Sequence, residues 1–413
     1  MTLLGCIADD FTGGTDVAAA LRRTGLTVTL LFDLPSDATP PPATDAVVIA
    51  LKSRTVPADE AVDRSLACLD WLQAQQVDRI YFKYCSTFDS TPDGNIGPVA
   101  DALLSALDEQ LTLICPASPE HGRTTYQGHL FVHDKLLSES SMRDHPLTPM
   151  TDPLITRVLQ RQAAGPVGLL PLQVVRAGER AVRTELAELA AAHVRHVVVD
   201  AISETDLRAV ATAASDLRLL TGGAGLAGAA GRLLAEQRQA NPEPDKELPP
   251  GPTVVLAGSC STTTLGQVAK AVAEMPSYRL DPVGTVGPDR LLDEAMGWLR
   301  ENLDRAPLLV YSSAPADVRA SEDSRLAVHL EQVFGALAVE AAARGAGRIV
   351  VAGGETSGAV VQSLGIDSVV VSREADPGVP WCLATDRPLA LLLKSGNFGQ
   401  PDLLVRAATE AGS

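Results

Sequence analysis

Apolar residues along the chain gather in short, β-branched-rich runs separated by longer amphipathic windows. Leu3–Ala8, Thr27–Leu31, Ala46–Leu51, Arg79–Lys83, Leu111–Pro116 and His196–Val199 are continuous enough to predict buried strands. Helical periodicity occupies Asp16–Thr24, Ala58–Gln75, Ile96–Glu109 and Arg180–His193. Such alternation predicts an α/β fold with a mostly parallel sheet. Residues 121–153, rich in His, Pro and Ser, break the rhythm and are expected to form a functional loop or lid. A polar, proline-bearing stretch at 236–252 marks a boundary, and a second α/β pattern follows it. Its strands are expected at Thr253–Ala257, Leu308–Tyr311, Arg348–Ala352, Ser368–Val371 and Leu389–Leu393. The expectation is two α/β domains with mostly parallel sheets facing a central cleft. Their bounds are 1–240 and 253–413, with a linker over 241–252.

Composition narrows the function. The 413 residues carry 34 basic and 51 acidic side chains, a net charge of −17. So acidic a surface repels polyanions, which argues against nucleic acid or an anionic membrane as partner. Only six basic residues are lysines, so Lys83 and Lys394 stand out inside polar motifs. The six cysteines are widely spaced without a CxxC pair, which predicts a reduced, cytoplasmic protein without structural zinc. The N-terminal MTLLGCIADD lacks the pattern of a signal peptide, and no uninterrupted apolar run is long enough to span a membrane.

Polar motifs cluster where predicted strands end. Ala8-Asp9-Asp10-Phe11-Thr12-Gly13-Gly14 places two acids beyond the first strand, where carboxylates hold hydroxyls, act as a base or cap a helix. Lys83-Tyr84-Cys85-Ser86-Thr87-Phe88-Asp89-Ser90-Thr91 offers a cation, a second candidate base in Asp89 and the hydroxyls of Ser90 and Thr91. Arg123, after Gly122, suits a clamp on a carboxylate or phosphate. His121, His129, His133 and His145 lie near it, yet the zinc-hydrolase pattern fails and no metal site is expected. Gly223-Ala224-Gly225-Leu226-Ala227-Gly228 matches a dinucleotide fingerprint literally, but the chain then enters the proline-rich stretch instead of a strand carrying an acid. In the second half three Gly-rich turns follow strands. They are Gly258-Ser259-Cys260-Ser261, Gly353-Gly354-Glu355-Thr356 and Lys394-Ser395-Gly396-Asn397, a pattern that suits a nucleotide held by backbone amides and hydroxyls. No P-loop motif occurs.

Together these motifs resemble the four-carbon acid sugar kinase family over nearly the whole chain. The stretches 128–132 and 145–152 look most like its 3-oxo-tetronate kinase branch. Pro92-Asp93 stands where many relatives have Leu-Arg, so an Arg contact there is not carried over. The resemblance implies an N-terminal acid-sugar domain and a C-terminal ATP domain. Ser259, Gly353, Gly354, Glu355, Thr356, Gly396 and Asn397 would contact ATP, with Mg²⁺ on its phosphates. Arg123 with Lys83 or Arg54 would hold the substrate carboxylate, beside Asp9, Ser90 and Thr91, and Asp10 or Asp89 would serve as base. Threonate or erythronate kinase is the alternative within the family. A nicotinamide oxidoreductase and a non-catalytic sugar-acid sensor are alternatives outside it. Homo-oligomerisation stays open.

Overall fold

The computed structural model describes residues 2–36, 42–145, 148–240, 244–281, 288–314 and 324–410. They form two compact units, Met1–Glu243 and Pro244–Ser413. The division falls inside the proline-rich stretch. Residues 241–243 of the expected linker, and Pro146 and Leu147 of the 145–152 motif, lie outside the described residues. Residues 244–252 are not a free tether. Leu248 is buried in the core of the second unit, and the Lys246 amide donates to Ser372 Oγ.

The first unit opens with β1 (Leu4–Ala8), α1 (Phe11–Arg22), β2 (Val28–Phe32), β3 (Ala46–Ala50), α2 (Ala58–Ala74), β4 (Ile80–Lys83), α3 (Ile96–Ala106) and β5 (Thr112–Cys115). A small antiparallel sheet follows, β6 (Arg123–Tyr126), β7 (His129–Val132) and β8 (Lys135–Leu136). Then come α4 (Ile155–Gln160), β9 (Val167–Leu170), α5 (Leu172–Arg176), α6 (Glu179–Ala191), β10 (His196–Val199), α7 (Glu204–Ala213), β11 (Leu219–Gly222) and α8 (Ala224–Arg238). The main sheet has the order β2-β3-β1-β4-β11-β5-β10-β9 and is parallel throughout. Its strands are apolar on both faces because helices cover both. Residues of α2, α3 and α4 share one core with the sheet, with Leu72, Leu103 and Leu159 fully buried. On the other face α1 packs on α8, and α8 on α7.

Two expectations are corrected. The first helix starts at Phe11 instead of Asp16, so Gly13 and Gly14 lie within it. Asp10 caps it by accepting from the Gly13 amide, and a Cβ on Gly14 would stand 2.6 Å from the Ala50 methyl, so close packing on β3 needs a glycine there. Residues 121–153 are no loose lid, since β6–β8 occupy their centre. The β6–β7 turn is pinned to Asp200, whose carboxylate accepts from the Gln127 and Gly128 amides at 2.7 and 2.9 Å.

The second unit contains β12 (Thr253–Ala257), α9 (Thr262–Glu274), β13 (Ser277–Arg279), α10 (Pro288–Asn302), β14 (Leu308–Tyr311), α11 (Ser324–Ala343), β15 (Arg348–Ala352), α12 (Gly354–Leu364), β16 (Ser368–Asp376), β17 (Val379–Ala384), β18 (Ala390–Lys394) and α13 (Leu403–Thr409). Strand order is β13-β14-β12-β15-β18-β17-β16, parallel up to β18, with β17 antiparallel to both its neighbours. Helices α9 and α13 cover one face, where Val255, Val350, Leu392 and Leu404 share a core. The α11 segment Leu326–Ala343 is long and apolar enough to cross a membrane by length and composition alone. It packs on α12, however, and Phe334, Leu337 and Ala341 are buried.

Candidate functional site

Each sheet has a point where successive connections leave in opposite directions, and open α/β sheets bind ligands beyond the carboxyl ends of the strands there. In the first unit the chain passes from β1 to β2 and β3 on one side, then to β4 on the other. β1 leads into α1 on one face, while β4 leads towards α3 on the opposite face. The crevice between β1 and β4 therefore receives Asp9, Asp10 and the polar run from Lys83 to Thr91.

Asp9 and Asp10 share one guanidinium. Arg54 Nε donates to Asp9 Oδ2 at 2.9 Å, and its Nη2 donates to Asp9 Oδ1 at 2.8 Å and Asp10 Oδ1 at 2.5 Å. The Ser53 and Arg54 amides donate to the Asp9 carbonyl, which ties the turn after β3 to the end of β1. The two carboxyls are pushed apart. Burial raises Asp9 despite Arg54. Burial also opposes ionisation of Asp10, but Arg54, Lys83, Thr12 and the Gly13 amide together outweigh it and hold Asp10 below the ordinary range.

Lys83 is buried at the end of β4. Its Nζ donates to the Tyr84 carbonyl and lies 3.8 Å from Asp16 Oδ2, while His121 Nε2 lies 3.5 Å from Asp16 Oδ1. Burial works against the charge of Asp16, but His121 and Lys83 leave it below the usual carboxylate range. The next loop folds inward. Phe88 is fully buried edge-on to Tyr84 at 5.4 Å and has φ +52, a left-handed conformation unusual for a bulky residue. Asp89 follows it. Thr87 Oγ1 donates to Asp89 Oδ1 at 2.6 Å, and no described residue donates to Oδ2. Gln162 holds the far side of the loop, donating to Ser90 Oγ at 2.8 Å and the Thr91 carbonyl at 2.5 Å while accepting from the Gly97 amide at 3.0 Å. Arg123 is buried at the start of β6. Burial lowers its pKa, while Cys85, Asp16 and Asp89 favour its charged form. Cys85 is pushed by burial up to about 12, which leaves a protonated thiol and no nucleophile.

The expected residues thus meet in one crevice, except that Arg54 is committed to Asp9 and Asp10. Asp16, His121 and Gln162 join them without having been singled out as site residues. Asp16 lies in the second turn of α1, where the sequence pattern marks only a helix start. Nothing local marks Gln162, whose role arises from tertiary contact alone.

In the second unit β12 continues through β13 to β14 on one side, while β15 lies on the other. Helix α9 packs with α13, and α12 with α11 on the opposite face, so the reversal falls between β12 and β15. The turns after these strands interlock. The Gly258 and Ser259 amides donate to the Ala352 carbonyl, and the Gly353 amide to the Lys394 carbonyl. Gly353 has φ +134, which disfavours any side chain. A Cβ on Gly396 would stand 2.5 Å from Ser259 Oγ. Ser261 Oγ and Thr264 Oγ1 donate to the Gly396 carbonyl at 2.5 and 2.9 Å. Thr356 is buried, whereas Glu355 and Asn397 are exposed. Backbone amides, hydroxyls and two helix starts at a strand-order reversal suit phosphate oxygens. The sequence reading had not singled out Ser261 or Thr264 as site residues.

The dinucleotide-like glycines serve packing instead. Cβ atoms at Gly223 and Gly225 would lie 2.9 and 2.8 Å from the carbonyl oxygens of Pro116 and Ala117. His129 and His133 lie on β7 and the turn after it, not on a helix. Among the described residues no three His, Cys, Asp or Glu side chains converge on a metal-sized site.

Residues 4–230 match a family model described as a sugar-binding N-terminal domain, and residues 254–404 one described as a nucleotide-binding C-terminal domain. A Cupriavidus necator protein named 3-oxo-tetronate kinase is 46% identical, with 99% of this chain and 97% of that protein covered. A Salmonella typhimurium protein of the same name is 42% identical, with 99% of each covered. The solved structure of a Salmonella typhimurium LT2 protein, described as a tRNA synthase, matches with a TM-score of 0.88 and 41% identity over 99% of this chain and 100% of that one. A Haemophilus influenzae structure matches with a TM-score of 0.78 and 40% identity over 98% of each chain.

Proposed function

This chain belongs to the four-carbon acid sugar kinase family, and we propose that it transfers the γ-phosphoryl group of ATP to the 4-hydroxyl of 3-oxo-tetronate. It is an ATP-dependent acid sugar kinase; the choice of acceptor rests on near-full-length likeness to relatives bearing that substrate's name. The cytoplasm, where ATP is available, is the proposed location.

Transfer forms a bond between the acceptor oxygen and the γ-phosphorus and breaks the bond to the oxygen bridging the β- and γ-phosphorus atoms. Such a reaction needs positioning and charge neutralisation more than covalent help. Arg123 and Lys83 hold the substrate carboxylate, because Arg54 is already bound to Asp9 and Asp10. Ser90 and Thr91 add hydroxyl contacts. Asp89 accepts the proton of the attacking hydroxyl, a choice supported by its unclaimed Oδ2. Asp10 has one oxygen held by Gly13 and Arg54 and the other by Thr12, so it orients a hydroxyl instead. In the second unit the turns bearing Ser259, Gly353, Gly354, Glu355, Thr356, Gly396 and Asn397 bind ATP. Magnesium enters as part of the substrate, on the ATP phosphates, and neutralises their charge.

The test is ADP release with Mg-ATP across tetronates, 3-oxo-tetronates and pentonates. ADP should form fastest with a 3-oxo-tetronate. A preference for threonate or erythronate would reassign the acceptor within the family, and silence across the panel would overturn the kinase reading.

A further inference from the structure

Lys394 is the last residue of β18, and its side chain is fully buried. It continues the face on which Ala390 and Leu392 pack with α9 and α13. Its Nζ donates to Thr264 Oγ1 at 2.8 Å and to the Gly396 carbonyl at 3.0 Å. Both acceptors are neutral. Among the described residues no carboxylate forms an ion pair with it. Around it, α9 carries exposed Lys270 and Glu274, and α12 carries exposed Glu355. Asp376 on β16 is bound by Arg406 of α13 and the Gln400 amide. Glu410, just beyond α13, is bound by Arg373 and Trp381. Arg348 lies at the opposite end of β15, next to Gly251 and Glu410. Cys260 follows β12, and Cys382 of β17 is buried with its thiol pushed up to about 12. A buried ammonium without a counter-ion is costly.

The Gly396 carbonyl accepts from Lys394, Thr264 and Ser261 together. The Gly396–Asn397 peptide is trans, so the Asn397 N–H points the opposite way, out of this cluster. The arrangement is a charged lever under an outward-facing amide, at the end of a strand beside the β12–β15 crevice.

We propose that Lys394 is a proton-linked counter-ion for the nucleotide, so that ATP binding takes up a proton there and weakens above neutral pH. This rests on the nucleotide reading of the second unit. With no bound anion, burial lowers Lys394 to about 7. A polyphosphate beside it favours the charged form and raises that value. Below about pH 7 the lysine is charged with or without ATP, and affinity is flat. Above it the free protein loses the proton that the complex keeps, so affinity falls by up to about tenfold per pH unit.

Titration calorimetry of Mg-ATP near pH 8, in two buffers of different ionisation enthalpy and with magnesium in excess, reads this directly. The wild-type protein should take up most of one proton per ATP, and its Kd should rise about five- to tenfold from pH 7 to pH 8. K394M should take up none and bind with a flat pH profile. If K394M does not fold, the wild-type measurement decides alone. ATP binding by the wild-type protein with no proton uptake overturns the proposal and leaves the kinase reading standing. Failure of the wild-type protein to bind ATP overturns both.

Discussion

Replacing Arg54 with methionine keeps most of the side chain's length and removes three charge-assisted hydrogen bonds, two to Asp9 and one to Asp10. Asp9 is 4% exposed at its side chain and Asp10 18%, so water compensates little for the lost partner. Breaking a buried pair in this way costs about 3–5 kcal/mol. Arg54 itself is 22% exposed, which moves the expectation to roughly 2–4 kcal/mol. For a unit of this size that is a drop of about 4–16 °C in the melting temperature. The pH dependence is the sharper part. Burial already raises Asp9, and removing Arg54 raises it further and lifts Asp10 from its lowered position. A carboxylate whose folded-state pKa lies above its unfolded value destabilises the fold at higher pH, and the penalty fades as it protonates. The R54M deficit should therefore be largest near pH 7.5 and shrink towards pH 5. Urea unfolding of the wild type, R54M and R54M/D9N at both pH values measures this. The double variant should be more stable than R54M, because it no longer buries an uncompensated charge at position 9. An R54M deficit below about 0.5 kcal/mol, or one that does not change with pH, would refute the account.

D89N should lower kcat by about 10²-fold or more with little change in acid-sugar KM, as expected of a lost base. D10N keeps an oxygen for the Gly13 amide and should lose less; near-normal turnover in both would remove the base from this crevice. Q162A releases Ser90, Thr91 and Gly97 and should reduce kcat/KM for the acid by about tenfold without altering ATP KM, read from steady-state rates with each substrate varied. G396A drives a methyl to 2.5 Å from Ser259 Oγ and should weaken ATP binding by about tenfold, with partial recovery in G396A/S259A, as calorimetry would show.

The parallel core was legible because a strand covered on both faces must be apolar, as Ala46–Ala50 is throughout and as Arg348–Ala352 and Thr253–Ala257 are after their first residue. Short or half-exposed strands were not. Val167–Leu170 contains Gly168, Ser277–Arg279 has only three residues, and β6–β8 form a small, partly exposed sheet. The β16–β17 hairpin was half visible, since Pro377 and Gly378 make the turn and Pro380 interrupts the apolar run of the second strand. Of the sites, strand-end motifs were readable because parallel strands deliver their loops to one edge. The partners that complete them, Gln162 on one side and Ser261 with Thr264 on the other, depend on which loops meet. Arg54 shows the limit most plainly. Its sequence suggested a free clamp, while its true neighbours are Asp9 and Asp10, more than forty residues earlier.

On the proposed assignment of the two sites, charge explains how one acidic protein would hold two different anions in two different ways. The crevice of the first unit gathers Arg54, Lys83 and Arg123 with Asp9, Asp10, Asp16 and Asp89, so its cations come with carboxylates attached. That suits a polyhydroxy acid, because carboxylates accept from hydroxyls while a cation meets the single carboxylate. A polyphosphate would be repelled there. The turns of the second unit offer amides, hydroxyls and Lys394, with no carboxylate paired to that lysine among the described residues. A polyphosphate has no hydroxyl to donate, so carboxylates there would only repel it. Of the six lysines, Lys83 and Lys394 are the two that are buried, one in each unit. A net charge of −17 disfavours polyanions at the surface, and we propose that the two buried lysines serve different anions, an acid sugar in the first unit and a nucleotide in the second.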